Sequence, residues 1–390
     1  MKKILIFLGI FLGINVSSYS QDPFFTGEYT NPLYLNPAFA GSKEVLRVGV
    51  NNRLQWITAL TKFSTSSLSA DYSSGEFGFG LTALYDSKGA FSYTDAGIAL
   101  SYQAGSFDKI LFYPGARVTY LSRRLNISEL TFGDQFNPID GKVVDESQAL
   151  EYNFENANLF NVDLGFVTVM PVDLRRTEPA WLNFGVALHH LAEQNTSFIG
   201  KEEYLDRRLT VHGGILIPFF KRDSSYLHYR KPFLLYPHFQ YQRQGEFGEI
   251  DFAITGYRKP FVATFTYKTI EEVIDVENVH QIALMFGYEG QFGKYFAYQI
   301  GYNIDWALTG IRNGKYPNAI THEFSLILLF SPKRKHDCLE CLEYQRRWYD
   351  PEKVQRRHKD LCPPYKLPRL TTDEMKPLFY PFLLPTLREK

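Results

Sequence analysis

Beyond its first twenty residues the sequence lacks any apolar run of about 18 or more residues, so no conventional membrane helix is expected there. It also lacks net charge: 42 Lys+Arg balance 42 Asp+Glu, and no global field would draw in nucleic acid. Gly 28 and Pro 20 are too few for a collagen-like or low-complexity chain. No G-x-S-x-G, H-E-x-x-H or Walker pattern is present, and no enzyme or cofactor is expected. Only 3 cysteines occur, all late in the chain. What the sequence does hold is 45% apolar residues and 16% aromatics. The first argues against whole-chain disorder, and the second suits pleated, half-buried surfaces and membrane interfaces.

The start reads as a secretory signal peptide over residues 1–20. Met1-Lys2-Lys3 is basic, Ile4 to Ile14 is an apolar run of eleven, and Ser18 and Ser20 stand at −3 and −1 of a cut before Gln21. A secreted chain without a later membrane helix is either soluble or an outer-membrane barrel.

Two-residue alternation recurs from Val45 to Phe330. Phe296, Tyr298, Ile300, Tyr302, Ile304 and Trp306 share one face of a strand, with Ala297, Gln299, Gly301, Asn303 and Asp305 on the other. Phe77, Phe79, Leu81 and Tyr85 likewise oppose Gly78, Gly80 and Thr82. Segments of about ten residues or more match a tilted membrane strand better than the usual soluble strand of about five or six. Strand starts near 45, 62, 76, 91, 109, 158, 179, 207, 233, 248, 261, 279, 294 and 319 give fourteen. Leu130-Thr131-Phe132 is a candidate for another. The expectation is an all-β, transmembrane, antiparallel up-and-down β-barrel of about 14 strands over residues 45–332, in contact with outer-membrane lipid. An even count places both termini on the periplasmic side, with the long links, such as Ser122 to Ala157, outside. A soluble β-sandwich is the competing fold.

After Phe330 the alternation stops. Residues 331–390 hold 14 Lys+Arg and 9 Asp+Glu, a net +5 by subtraction, and 8 of the prolines. Residues 333–390 therefore read as a basic, Pro-rich periplasmic tail. It is either a solvated end or a docking segment, since Leu378 to Leu384 is notably apolar. Cys338, Cys341, His358 and Cys362 have the spacing of a Cys3His zinc site, but an oxidising periplasm favours a disulfide with one thiol left over.

Residues 21–44 form a pre-barrel segment. It contains Asn31-Pro32-Leu33-Tyr34-Leu35-Asn36-Pro37-Ala38-Phe39-Ala40-Gly41-Ser42, whose two Asn-Pro pairs impose extended or turn geometry and whose Ala38 to Gly41 is small enough for close packing. It leads into a first strand ending Arg53-Leu54-Gln55-Trp56. With the Tyr85-Asp86-Ser87-Lys88-Gly89 turn and the last strand Thr321-His322-Glu323-Phe324-Ser325-Leu326, this stretch resembles the PorP/SprF family of Bacteroidetes outer-membrane proteins over roughly residues 21–332. Asn31, Pro32, Tyr34, Asn36, Pro37, Gly41, Arg53 and Trp56 carry the resemblance. It implies a role in type IX secretion and gliding motility, with a secreted surface protein or adhesin as client. Periplasmic ring components or a peptidoglycan-linked partner would complete the machinery. The long tail departs from the family, whose members generally end soon after the last strand.

Arg47, Asn51, Arg53 and Gln55 share the inward face of the first strand, and Asp71, Glu249, Asp251 and Asp305 also fall on inward faces. The plain reading is a lumen held by salt bridges, and the sharper one a conduit or binding surface. His189-His190 is expected as an interfacial or loop pair, because adjacent strand residues point to opposite faces. The alternative to a secretion component is a porin or small-solute channel.

Overall fold

A computed structural model describes residues 22–43, 45–57, 63–105, 110–136, 147, 156–174, 180–192, 194–198, 203–219, 233–271, 279–292, 296–309 and 320–330. The expected signal peptide and the tail with its cysteines lie outside these residues.

The strands are β1 (Leu46–Gln55), β2 (Phe63–Ser74), β3 (Phe77–Lys88), β4 (Phe91–Tyr102), β5 (Ala104–Gly105), β6 (Leu111–Leu125), β7 (Ala157–Val172) and β8 (Ala180–His189). They continue with β9 (Arg208–Phe219), β10 (Phe233–Gln244), β11 (Phe247–Arg258), β12 (Phe261–Glu271), β13 (Val279–Phe292), β14 (Phe296–Ala307) and β15 (Ile320–Phe330). All neighbours are antiparallel. β1 pairs with β15 from Leu46↔Phe330 to Gln55↔Thr321, and β4 pairs with β6 from Phe91↔Leu125 to Ser101↔Gly115. The ring is therefore closed, with fourteen long strands and the two-residue β5 as a short extra pairing on β6. Strand starts fall within about two residues of those read from the alternation, because a period of two fixes both the strand and its faces. Leu130-Thr131-Phe132 is not a strand. It lies between 3-10 turns at Ile127–Glu129 and Gly133–Gln135.

Burial is inverted relative to a soluble protein. Leu81, Ile98, Phe252 and Phe286 are about 60% exposed on the outer face, whereas Arg47, Asp95, Arg117, Asp163, Lys268 and Glu323 are buried inside. Hydrocarbon reverses the usual preference: an apolar exterior suits lipid, and charges gather where they pair with one another. No helix among the described residues is long and apolar enough to cross a membrane, and the crossing is made by strands.

With an even strand count, β1 begins and β15 ends at one rim, called here the terminal rim. The first described residue, Asp22, is not at that rim. Residues 22–43 fold back into the lumen, and Asp22 sits near the opposite rim, where its N–H donates to Gln244 at the end of β10.

The lumen has two unlike halves. Toward the opposite rim it is lined by ionic and hydrogen-bonding side chains. Toward the terminal rim, β6 to β12 contribute Tyr113, Val167, Trp181, Leu216, Tyr236, Tyr257 and Val262 to one apolar cluster. Tyr29, Leu33, Leu35 and Phe39 of the N-terminal segment complete that cluster.

Candidate functional site: a luminal plug

The local folding of residues 22–43 follows from the two Asn-Pro pairs. Pro32 and Pro37 each open a short helical turn, Pro32–Leu35 and Pro37–Phe39, where a missing N–H costs nothing and the fixed φ is already helical. Asn36 is extended, and its side chain accepts from the Ala38 N–H. Gly41 has φ +66°, a left-handed conformation suited to glycine, and its N–H donates to Asp71 at 2.9 Å. The segment is thus a compact series of turns, and nearly every residue of it is buried.

The wall grips this plug through its backbone. Near the terminal rim, Arg47 makes a two-pronged ion pair with Asp71 (2.7 and 3.0 Å) and also donates to the Phe39 carbonyl at 3.1 Å. Ser101 donates to the Ala40 carbonyl at 2.6 Å, and Asn51 to the Thr30 carbonyl at 3.1 Å. Farther along, Glu323 accepts the N–H groups of Thr26 (2.8 Å) and Gly27 (3.0 Å). Arg53 bridges Asp305 and Glu323, each at 3.3 Å, and donates to the Thr26 hydroxyl, which donates in turn to Asp305 at 2.5 Å. At the outer end of the plug, the Asp22 carboxylate meets His190 (2.6 Å) and Arg208 (3.1 Å). Burial alone would raise the Asp22 carboxyl, but His190 and Arg208 beside it hold it well below the usual carboxylate range.

The motif residues have individual tasks in this arrangement. Asn31 donates to Ser67 at 2.9 Å. The Asn36 amide reaches the wall carbonyls of Phe166 (3.3 Å) and Val186 (3.2 Å) and the His212 ring. Tyr34 accepts from Arg208 at 2.8 Å and donates to the Pro23 carbonyl at 2.7 Å. Trp56 stands apart, just past β1, with its ring against Phe63. Asp251 lies 3.2 Å from Lys268, which also pairs with Glu249 at 3.0 Å.

Close approach requires a thin wall. A Cβ at Gly78 would run into the Ala40 carbonyl, one at Gly115 into Ala38, and one at Gly165 into Asn36 and Pro37. These glycines sit on inward faces, where the plug backbone presses on the strands. Two small voids flank the segment, one beside Phe25, Tyr34, Arg208 and Gln240, the other beside Tyr29, His238 and Thr266.

A second ionic group was not singled out in the sequence. Arg117 of β6 pairs with Asp163 of β7 (2.7 Å) and Asp95 of β4 (3.5 Å). Their inward alternation was the available signal. His189 ends β8 and His190 opens the link after it, and both rings are buried in the lumen, not placed at the membrane interface. His189 lies 3.5 Å from Asp163. His190 has φ +59°, which breaks the alternation and turns its ring inward to Asp22 and Asn161. Among the described residues no group of His, Cys, Asp and Glu is arranged to hold a metal ion.

No curated protein matches the sequence. Similar solved structures include the CymD monoaromatic hydrocarbon channel, at 9% identity and TM-score 0.43, covering 79% of this chain and 94% of that one. A FadL homologue of Pseudomonas aeruginosa is similar at 10% identity and TM-score 0.42, covering 80% and 99%. The Pseudomonas putida toluene transporter TodX follows at 11% identity and TM-score 0.39, covering 80% and 94%. The family profile described as type IX secretion system membrane protein PorP/SprF matches residues 17–328, a span that takes in the plug and the fourteen long strands up to Leu328 in β15. The chain belongs to the PorP/SprF family of type IX secretion system membrane proteins.

Proposed function

We propose that this protein is a non-enzymatic outer-membrane component of type IX secretion and gliding. It holds a secreted surface protein at its outer loops and secretion machinery at its periplasmic face, and it works by binding and positioning rather than by bond chemistry. Residues 1–20 are removed as a signal peptide, and the terminal rim faces the periplasm. From that rim residues 333–390 extend toward ring components or a peptidoglycan-linked partner, and the cysteines of this tail form a disulfide.

The observation that carries this reading is the occupied lumen. A diffusion porin needs a standing aqueous path, and here buried residues 22–43 lie along that path, bonded to the wall at both ends. Family membership supports the secretion role. The side-chain chemistry supports binding, because the buried charges meet one another or the plug.

Affinity purification from native membranes, paired with single-channel recording, tests the proposal. The expected result is co-purification of a large surface protein together with an electrically silent barrel. A steady conductance with no co-purifying polypeptide would favour the porin instead. Deleting residues 333–390 should leave an inserted, heat-modifiable barrel and abolish capture of the periplasmic partner. Capture that survives the deletion removes the docking role of the tail.

A further inference from the structure

Five arginine and lysine side chains are buried in the described barrel wall: Arg47, Arg53, Arg117, Arg208 and Lys268. Four of them are ion-paired to carboxylates of the wall itself. Arg208 differs. Its ion pair is with Asp22, which belongs to the plug. Its Nη1 also donates to Tyr34 of the plug, its guanidinium stands 4.6 Å over the Tyr34 ring, and its Nε has no hydrogen-bond partner.

This asymmetry bears on how the plug is held. The barrel closes through β1–β15 and β4–β6 pairing, to which residues 22–43 contribute no strand. If the plug leaves, Arg47, Arg53, Arg117 and Lys268 keep their wall partners, and water satisfies the remaining groups. Arg208 alone loses its carboxylate and faces the lumen as a cation, with the His190 ring beside it. An unpaired charge in a confined site is costly, so an incoming carboxylate would be bound there. The occupant in place shows what fits: a carboxylate on an Asp-Pro-Phe-Phe stretch outside any helix or strand, with the Asp22 N–H donating to Gln244 and Phe24 lying 5.4 Å from Phe247.

We propose that Arg208, His190 and Gln244 form a peptide-carboxylate site at the outer mouth, filled in cis by Asp22 as the catch of a releasable plug. A partner segment of acidic-aromatic character takes the place of Asp22 and frees the plug. This reading concerns the lumen, and it holds or fails independently of which polypeptide the protein captures.

The test is single-channel recording on the purified full-length chain in planar bilayers. Wild type is silent. Asp22→Asn raises the open probability at least about tenfold, because one partner of a buried ion pair is neutralised. Asp22→Glu stays closed. The peptide acetyl-Asp-Pro-Phe-Phe-amide, added to the side of the long loops, opens wild type, and its Asn-Pro-Phe-Phe counterpart does not. An Asp22→Asn barrel that is heat-modifiable yet as silent as wild type overturns the proposal, as does equal opening by both peptides or by neither. Should Asp22→Asn fail to fold, the two peptides on the wild-type protein decide alone.

Discussion

The two halves of the lumen hold the same plug by different physics. Toward the terminal rim, Phe39 and Leu33 enter an apolar cluster with Tyr113, Trp181 and Tyr236, and the grip is chiefly burial of surface, to which Asp71, Arg47 and Ser101 add hydrogen bonds to the Gly41 N–H and the Phe39 and Ala40 carbonyls. Toward the opposite rim, Thr26, Gly27 and Asp22 are held by Glu323, Asp305, Arg53, His190 and Arg208, and the grip is ionic and directional. Apolar burial fixes a segment in place without specifying its register. Hydrogen bonds to backbone N–H groups do specify register, and they are replaced readily by water once the segment moves. The plug is therefore seated by the apolar half of the lumen and aligned by hydrogen bonds in both.

The largest effect that would break this contrast comes from the wall glycines against which Ala38 and Ala40 pack, in the apolar half. Gly78→Val or Gly115→Val places side-chain atoms where the Ala40 or Ala38 backbone lies. The plug should be expelled, giving a steady conductance in a barrel that remains heat-modifiable on gels. Next is Arg117→Met, which strands Asp163 and Asp95 as buried carboxylates. A loss of about 3–5 kcal/mol is expected, read as a lowered denaturant midpoint of the inserted barrel. Phe39→Leu, in the apolar half, keeps most of the buried volume and should cost less than about 1.5 kcal/mol in the same assay. Smallest is Asn51→Ala, which removes one hydrogen bond to the Thr30 carbonyl. A loss of about 1 kcal/mol is expected, with the barrel still silent in bilayers. If Phe39→Leu lowered the denaturant midpoint more than Arg117→Met did, the ranking of the two halves would be reversed.

Much of the wall was legible because its signal is local. Phe77, Phe79 and Leu81 alternate with Gly78 and Gly80 over one strand, and that pattern assigns faces without knowledge of any neighbour. Arg47, Asn51, Asp251 and Asp305 were placed inward by the same logic, and all four are buried. Alternation does not say what faces an inward residue across the lumen. The apolar patch around Trp181 and Tyr236 escaped for this reason, since a lumen is expected to be polar unless something apolar fills it. His190 escaped because one residue with positive φ undoes the alternation after β8. The glycines at 78, 115 and 165 were the available hint that a backbone runs close to the wall.

The sequence alone determined that the chain forms long two-faced strands, that their number is even, and which side chains point inward, because strand periodicity is a property of neighbouring residues. The tertiary structure decided that residues 22–43 turn back into the ring and that Arg53 shares Thr26 with Asp305 and Glu323, some 280 residues away. It also decided that Arg208 takes its counter-charge from Asp22. Such pairings join groups far apart in the chain, and only closure of the barrel brings them within hydrogen-bonding distance.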